Sequence, residues 1–258
     1  MLARFAGGLL RVALPDHCAV CRRRAARQIC SDCARAFDAA RSDAPLRCQQ
    51  CAAALPSLAA PTEDARTPNA EDATICRTQS PIVCGQCLRH RPAFDATLTL
   101  ADYVAPLDML MIRLKYHNAL PFAREFGERL GDALTARGDA TPLLVPVPLA
   151  PSRLASRGFN QAWELARVAS RRANLPASAH VLRRERSTAA QQRLSREARR
   201  CNLRGAFVAN DHARGRRIVL VDDVMTTGAT CDAAAAALKH AGATHVLAAV
   251  VLRTPSSL

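Results

Sequence analysis

Asp222 and Asp223 stand side by side behind the aliphatic run 218–221 (IVLV), and Thr226-Thr227-Gly228-Ala229-Thr230 follows three residues later. In an open parallel sheet, ligands bind beyond the carboxyl ends of the strands. A strand over 216–221 therefore delivers both carboxylates to that edge, and the threonine-rich turn wraps the N-terminus of a helix over 229–242. Backbone N–H groups and threonine hydroxyls at such a turn can cradle one phosphate. Carboxylates beside the cradle accept hydrogen bonds from sugar hydroxyls on the same molecule, so the constellation asks for a ribose 5-phosphate. A bare polar turn after a buried strand does not account for two acids next to three threonines. The magnesium strand of a P-loop nucleotidase is excluded, because both lysines, Lys115 and Lys239, follow leucine and no G-x-x-x-x-G-K-[ST] occurs. No G-x-G-x-x-G dinucleotide fingerprint is present either.

A second chemistry lies near the amino end. Four Cys-x-x-Cys pairs occur at Cys18/Cys21, Cys30/Cys33, Cys48/Cys51 and Cys84/Cys87. A two-residue spacer lets both thiolates of a tight knuckle face one ion, and two knuckles complete a tetrahedral site of four sulfurs. The first two pairs make one site and the last two a second. A redox dithiol and an iron–sulfur cluster are the alternatives, but redox motifs seldom come in fours, so zinc is preferred. A closed four-sulfur site leaves no open coordination position, which makes the zinc structural. Cys76 could compete as a ligand, whereas Cys201 and Cys231 read as reduced, buried small residues.

The elements that must position these groups follow from periodicity. Residues 95–104, 143–148, 216–221 and 244–252 read as strands; 106–117, 121–137, 158–173 and 229–242 read as helices. Strands alternating with helices argue for an α/β fold, a mostly parallel sheet covered by helices on both faces. The boundary falls near residue 93. Residues 1–93 hold an N-terminal helix and the zinc knuckles with a Pro/Ala/Thr-rich insertion near 54–80, and residues 94–258 hold the sheet. At 258 residues the chain can bury a proper core without disulfides. No run reaches the roughly 18 apolar residues of a membrane span, and Arg4 and Arg11 interrupt the first segment, so a cytoplasmic protein without membrane insertion is expected.

The formal charge of +14 invites a polyanionic partner. Its clearest concentration is 183–200, with seven arginines against two glutamates; a solvated helix face is the plainer reading of such a run. Aromatic content is only 4%, with the single Trp163, which argues against base stacking as the main mode of recognition.

VLVDDVMTTGAT resembles the phosphoribosyl-pyrophosphate (PRPP) loop of type I phosphoribosyltransferases. Together with VPVPLAPSRLASRGFNQA (145–162), RSTAAQQRLSREARRCNLRGAF (186–207) and the Cys-x-x-Cys knuckles, the chain resembles the ComF (GntX-like) competence family from about Cys18 to Leu252. The insertion departs from that pattern. The resemblance implies a type I phosphoribosyltransferase-like domain behind a small zinc-ribbon domain with four-cysteine sites. It implies that Asp222 and Asp223 hold the ribose 2′- and 3′-hydroxyls and serve catalysis, while Thr226, Thr227, Gly228, Ala229 and Thr230 bind the 5-phosphate. Arg153, Arg157 and Gly158 would form the pyrophosphate side at the end of the VPVP strand. The segment 184–202, with Arg184, Arg186, Thr188, Gln191 and Arg199, would be the flexible loop, and Lys115 and Tyr116 would lie in the hood. Mg²⁺ would accompany PRPP, and departure of pyrophosphate through an oxocarbenium-like state would be assisted by the carboxylates. The implied role is handling of incoming single-stranded DNA in natural transformation, with phosphoribosyl transfer to an unidentified acceptor as the alternative. A third reading makes the knuckles a docking surface for a competence helicase or uptake channel. In the DNA-handling reading, Arg22, Arg23, Arg24 and Arg27 are candidate phosphate contacts.

Overall fold

The computed structural model describes residues 17–56, 82–138, 141–185, 203 and 205–255. Their central feature is a four-stranded parallel sheet in the order β1-β6-β5-β2, built from β1 (Ala96–Asp102), β2 (Leu143–Pro146), β5 (Arg217–Met225) and β6 (His245–Arg253). A single parallel bridge between Leu144 and Ala177 extends it beyond β2. β6 reads HVLAAVVLR because it is central and covered on both faces: every residue after His245 is buried. The outer strand β1 is buried less completely, with only Thr99 and Ala101 fully inside.

Two apolar layers enclose the sheet. After α1 (Ser31–Phe37) and α2 (Gly85–Arg89) of the cysteine-rich segment, one face carries α3 (Leu107–Tyr116), α4 (Leu120–Arg137) and α6 (Gln161–Ala173), whose Leu110, Met111, Phe126, Leu130, Leu165 and Ala166 meet Val219, Val221 and Val251. On the other lies α7 (Ala229–His240), whose Ala234, Ala235 and Leu238 meet Ile218, Leu220, Ala248 and Val250. A short antiparallel pair, β3 (Leu182–Arg184) with β4 (Phe207–Ala209), flanks α7. The helices α4 and α6 approach closely at two glycines one turn apart. A Cβ at Gly127 would sit 2.6 Å from Val168 Cβ, and one at Gly131 would sit 2.7 Å from Arg172 Cβ, so neither position has room for a side chain.

The boundaries correct the sequence reading at three places. The strand expected to stop at residue 221 runs on to Met225, because the ladder to β6 continues through Asp222–Val250, Val224–Leu252 and Met225–Arg253. Helix α6 starts at Gln161 rather than 158: Gly158 adopts a φ of 78° and Asn160 caps the helix by accepting from the Ala162 N–H at 3.0 Å. Between β2 and α6 lies α5 (Pro151–Arg157), where only the end of the VPVP strand was expected. Its proline at the first helical position needs no N–H donor there.

Candidate functional site

Asp222 and Asp223 are residues of β5, and because side chains alternate along a strand they serve opposite sides of the sheet. Asp223 turns to the α3 side, 4% exposed, where Lys115 Nζ lies 3.1 Å from its Oδ1; its Oδ2 is buried and has no hydrogen-bond partner among the described residues. Asp222 turns toward α7. Its Oδ1 accepts from the Asp223 N–H at 2.9 Å, and the nearby Cys231 thiol is pushed far up by its own burial, with the charges of Asp222 and then Asp223 adding to the rise. Burial pushes the Asp222 carboxyl up to about 7, reinforced by the Asp223 charge and opposed by the Asp223 N–H and Lys115.

Beyond Met225 the chain turns at Gly228, whose φ of 81° suits a residue without a Cβ, and enters α7 at Ala229. Thr227 Oγ1 accepts from the Ala229 N–H at 3.4 Å, Thr226 is exposed, and Thr227 and Thr230 are half-buried. The first turn of a 12-residue helix thus opens beside the acidic pair, with its free N–H groups available to an anion.

Across the carboxyl edge, a cleft of about 360 Å³ is lined by Lys115, Tyr116, Asn118, Arg153, Ser156 and Arg157. The Arg157 guanidinium carbon lies 5.0 Å from the Tyr116 ring centroid, and its Nη1 donates to Gln161 Oε1 at 2.8 Å. Gly158 ends α5 and lets the chain reverse into α6. Arg184 stacks over Phe207 at 5.5 Å, and its guanidinium is held below its usual range first by burial and then by the Arg153 charge. The structure therefore gathers Lys115, Tyr116, Arg153 and Arg157 into one cleft and sets Arg184 within electrostatic reach of Arg153. Arg186, Thr188, Gln191 and Arg199 lie outside the described residues, as do Cys76, Cys201, the 57–80 part of the insertion and residues 1–16, where the N-terminal helix was expected.

The cysteines form two groups among the described residues: Cys18, Cys21, Cys30 and Cys33, and Cys48, Cys51, Cys84 and Cys87, each with its sulfurs within 4.8 Å of one another. The Cys21–Cys30 and Cys51–Cys84 sulfurs are 3.8 and 3.7 Å apart. A tetrahedron with Zn–S bonds of about 2.3 Å has edges of roughly 3.8 Å, so both donor sets fit a structural zinc ion. Backbone N–H groups point at the sulfurs, including Cys30 N to Cys18 Sγ at 3.3 Å and Cys84 N to Cys48 Sγ at 3.2 Å, which favours thiolates. Backbone donation from Arg23, followed by its side chain, holds the Cys21 thiol down at about 6.

The two clusters are attached differently. The first rests on α4: Arg27 pairs with Glu128 at 2.7 Å and Glu125 at 3.5 Å, and Arg129 Nη2 donates to the Ile29 carbonyl at 3.0 Å. Arg27 pairs with these acids and Arg23 with Asp32 at 3.3 Å, yet both side chains stay exposed, as do Arg22 and Arg24, so all four keep their place as candidate phosphate contacts. The second cluster rests against β1 and the start of α7. Arg47 pairs with both oxygens of Asp102 at 3.0 and 2.9 Å, and Arg253, at the end of β6, reaches the Cys51 carbonyl at 2.9 Å. Sequence reasoning missed Arg253, because an arginine closing an apolar strand reads as an exposed terminus.

A parallel sheet of this order, with an acidic pair and a glycine-turned helix at its carboxyl edge, defines a phosphoribosyltransferase-type domain carrying two four-cysteine clusters. The phosphoribosyl transferase domain family matches residues 154–258. DNA utilization protein YhgH of Escherichia coli O157:H7 is 34% identical over 94% of this chain and 99% of its own length, and competence protein F of Haemophilus influenzae is 33% identical over 63% and 75%. Competence protein ComFC of Bacillus subtilis is 36% identical over 39% of each chain. Among solved structures, the B. subtilis glutamine PRPP amidotransferase complexed with ADP and GMP covers 49% of this chain and 26% of its own at 21% identity, with a TM-score of 0.34. TT1426 of Thermus thermophilus covers 53% and 85% at 21% identity, with a TM-score of 0.33. Scores this low add no weight to the fold assignment, which rests on the sheet and the family match. The chain belongs to the ComF family, with a phosphoribosyltransferase-like domain.

Proposed function

We propose that this protein binds PRPP with Mg²⁺ at the carboxyl edge of its sheet and acts in DNA uptake, handling incoming single-stranded DNA. The observation that carries the reading is the union of Asp222 and Asp223 with the Gly228-turned N-terminus of α7, inside a chain whose relatives are named for DNA utilization and competence. The orphaned Asp223 Oδ2 suits a ribose hydroxyl, which is a donor of the kind that buried atom lacks. The helix N-terminus with Thr226, Thr227 and Thr230 would take the 5-phosphate. Arg153 and Arg157 would take the pyrophosphate, for which planar guanidinium forks are suited. Mg²⁺ would arrive on the pyrophosphate and ribose oxygens of PRPP and supply charge neutralisation there. Arg184, within electrostatic reach of Arg153, would add to the cationic side of the cleft.

Calorimetric titration with PRPP, with and without Mg²⁺, tests this. Magnesium-dependent binding in the wild type that disappears in Asp222→Asn, Asp223→Asn is expected; a wild-type protein that takes up no heat overturns it.

A second reading, transfer of the phosphoribosyl group to an acceptor, is favoured by a separate cavity of about 250 Å³ beside Thr227, lined by Phe94, Pro92, His90 and Arg89. Release of pyrophosphate only on addition of one compound from a panel of nucleobases and amines would identify that acceptor.

A further inference from the structure

Arg253 is 6% exposed, and the acceptors it meets are carbonyl oxygens. Its Nη1 donates to Met225 at 3.1 Å, to Thr226 through a shorter bond and to Thr254 at 2.8 Å, while its Nε donates to Cys51 at 2.9 Å. One planar, permanently charged group thus spans the knuckle of the second cysteine cluster and the two residues from which the phosphate-facing turn departs. Two further contacts run in parallel. Gln50, beside Cys51, donates to the Phe94 carbonyl at 2.6 Å, and the Phe94 ring lies 3.8 Å from where a Cβ on Gly228 would stand. Asp232, in the first turn of α7, accepts from the Ala93 N–H at 2.8 Å. The first cluster has a different seat, on α4 through Arg27 and Arg129.

We propose that Arg253 is a positioning residue that makes the second cysteine cluster and the 225–229 turn one mechanical unit, so that metal in the second cluster, unlike metal in the first, sets the geometry of the ligand-binding turn. The physical basis is the cost of undoing it. With the Cys48–Cys51 knuckle unfolded, the Cys51 carbonyl leaves, and a buried guanidinium must find a new acceptor or draw water into the end of β5. Lysine cannot substitute, since an ammonium lacks the fork that meets Cys51 on one side and Met225 and Thr226 on the other.

This inference rests on the PRPP reading only for which ligand is lost, so its primary readout is hydrogen exchange. Full-length zinc-loaded protein is compared with Arg253→Lys, Arg253→Gln, Cys84→Ser with Cys87→Ser, and Cys30→Ser with Cys33→Ser, with zinc per chain measured for each. Exchange at the amides of 225–231 should rise about tenfold or more in both Arg253 variants, with both metals retained, and in the second-cluster variant. The first-cluster variant should lose one metal and loosen 18–37 while leaving that turn at wild-type protection. Should the cysteine variants fail to fold, stepwise chelation of the wild type replaces them, and turn exchange should rise with loss of the second-cluster metal. Unchanged turn exchange in Arg253→Gln, or equal loosening of the turn by loss of either cluster, overturns the inference. PRPP titration separates it from the parent reading. Turn exchange that responds as described in a protein that never binds PRPP leaves the coupling standing and removes the ligand. PRPP binding that is equal in wild type and Arg253→Gln, with an equally protected turn, does the reverse.

Discussion

At Asp222 the site's electrostatics make a claim that pH can check. Its carboxyl is raised to about 7 by burial, with Asp223 adding to the rise; Lys115 and the Asp223 N–H oppose it, and the Cys231 thiol on α7 lies within reach of its charge. An acid whose folded value exceeds its unfolded value binds more protons when folded, so its stabilising contribution is full below the ordinary carboxylate value and is lost as pH rises toward about 7. Asp222→Asn should therefore raise the melting temperature more at pH 8 than at pH 5, by roughly 2–4 °C for each kcal/mol recovered. PRPP binding should move oppositely, strengthening in the wild type as pH rises through 7 and Asp222 ionises to accept ribose hydroxyls. A melting difference that is flat between pH 5 and 8 would contradict the buried-acid account. The composition of this site was legible in the sequence, because acids, threonines and glycine in that order have few other uses. The division of the two acids between opposite faces was not, since it depends on β5 continuing to Met225, and an aspartate pair reads locally as a strand terminus.

At the level of elements, the long apolar strands and helices could be read because their periodicity is set by burial on both sides of the sheet. What escaped were the pieces too short to show a period: α5, the β3–β4 pair and the bridge at Ala177. These are fixed by tertiary contacts rather than by pattern, and α5 is the element that carries Arg153 and Arg157. The close contact between α4 and α6 was likewise invisible, as Gly127 and Gly131 look like weaknesses in a helix until their neighbours are known. Gly131→Ala inserts a methyl within 3 Å of Arg172 Cβ and the Ala169 carbonyl. Overpacking of this kind costs about 1–3 kcal/mol, more than the helix propensity that alanine restores. Denaturant titration should show that loss, and a more stable variant would mean the two helices separate freely.

Over the whole molecule, opposite charges are placed face to face at the sheet edge. Asp223 of β5 pairs with Lys115, and Lys115 shares its cleft with Arg153 and Arg157. If single-stranded DNA uses that cleft, Arg153→Ala with Arg157→Ala should weaken DNA and PRPP binding together, and the slope of log affinity against log salt should flatten by on the order of one unit for the pair. Independent DNA binding would move attention to other basic surfaces. The Lys115–Asp223 ion pair has one more consequence. In the resting protein that amine is tied to the carboxylate a sugar would claim, and the chain's one other lysine, Lys239, is held by Asp95 at 2.7 Å. A sugar hydroxyl on Oδ2 leaves Lys115 on Oδ1, at the wall of the cleft that the ligand fills, so slowed modification of that amine by an amine-directed reagent becomes a gauge of cleft occupancy, read as a smaller mass-shifted fraction of a single peptide.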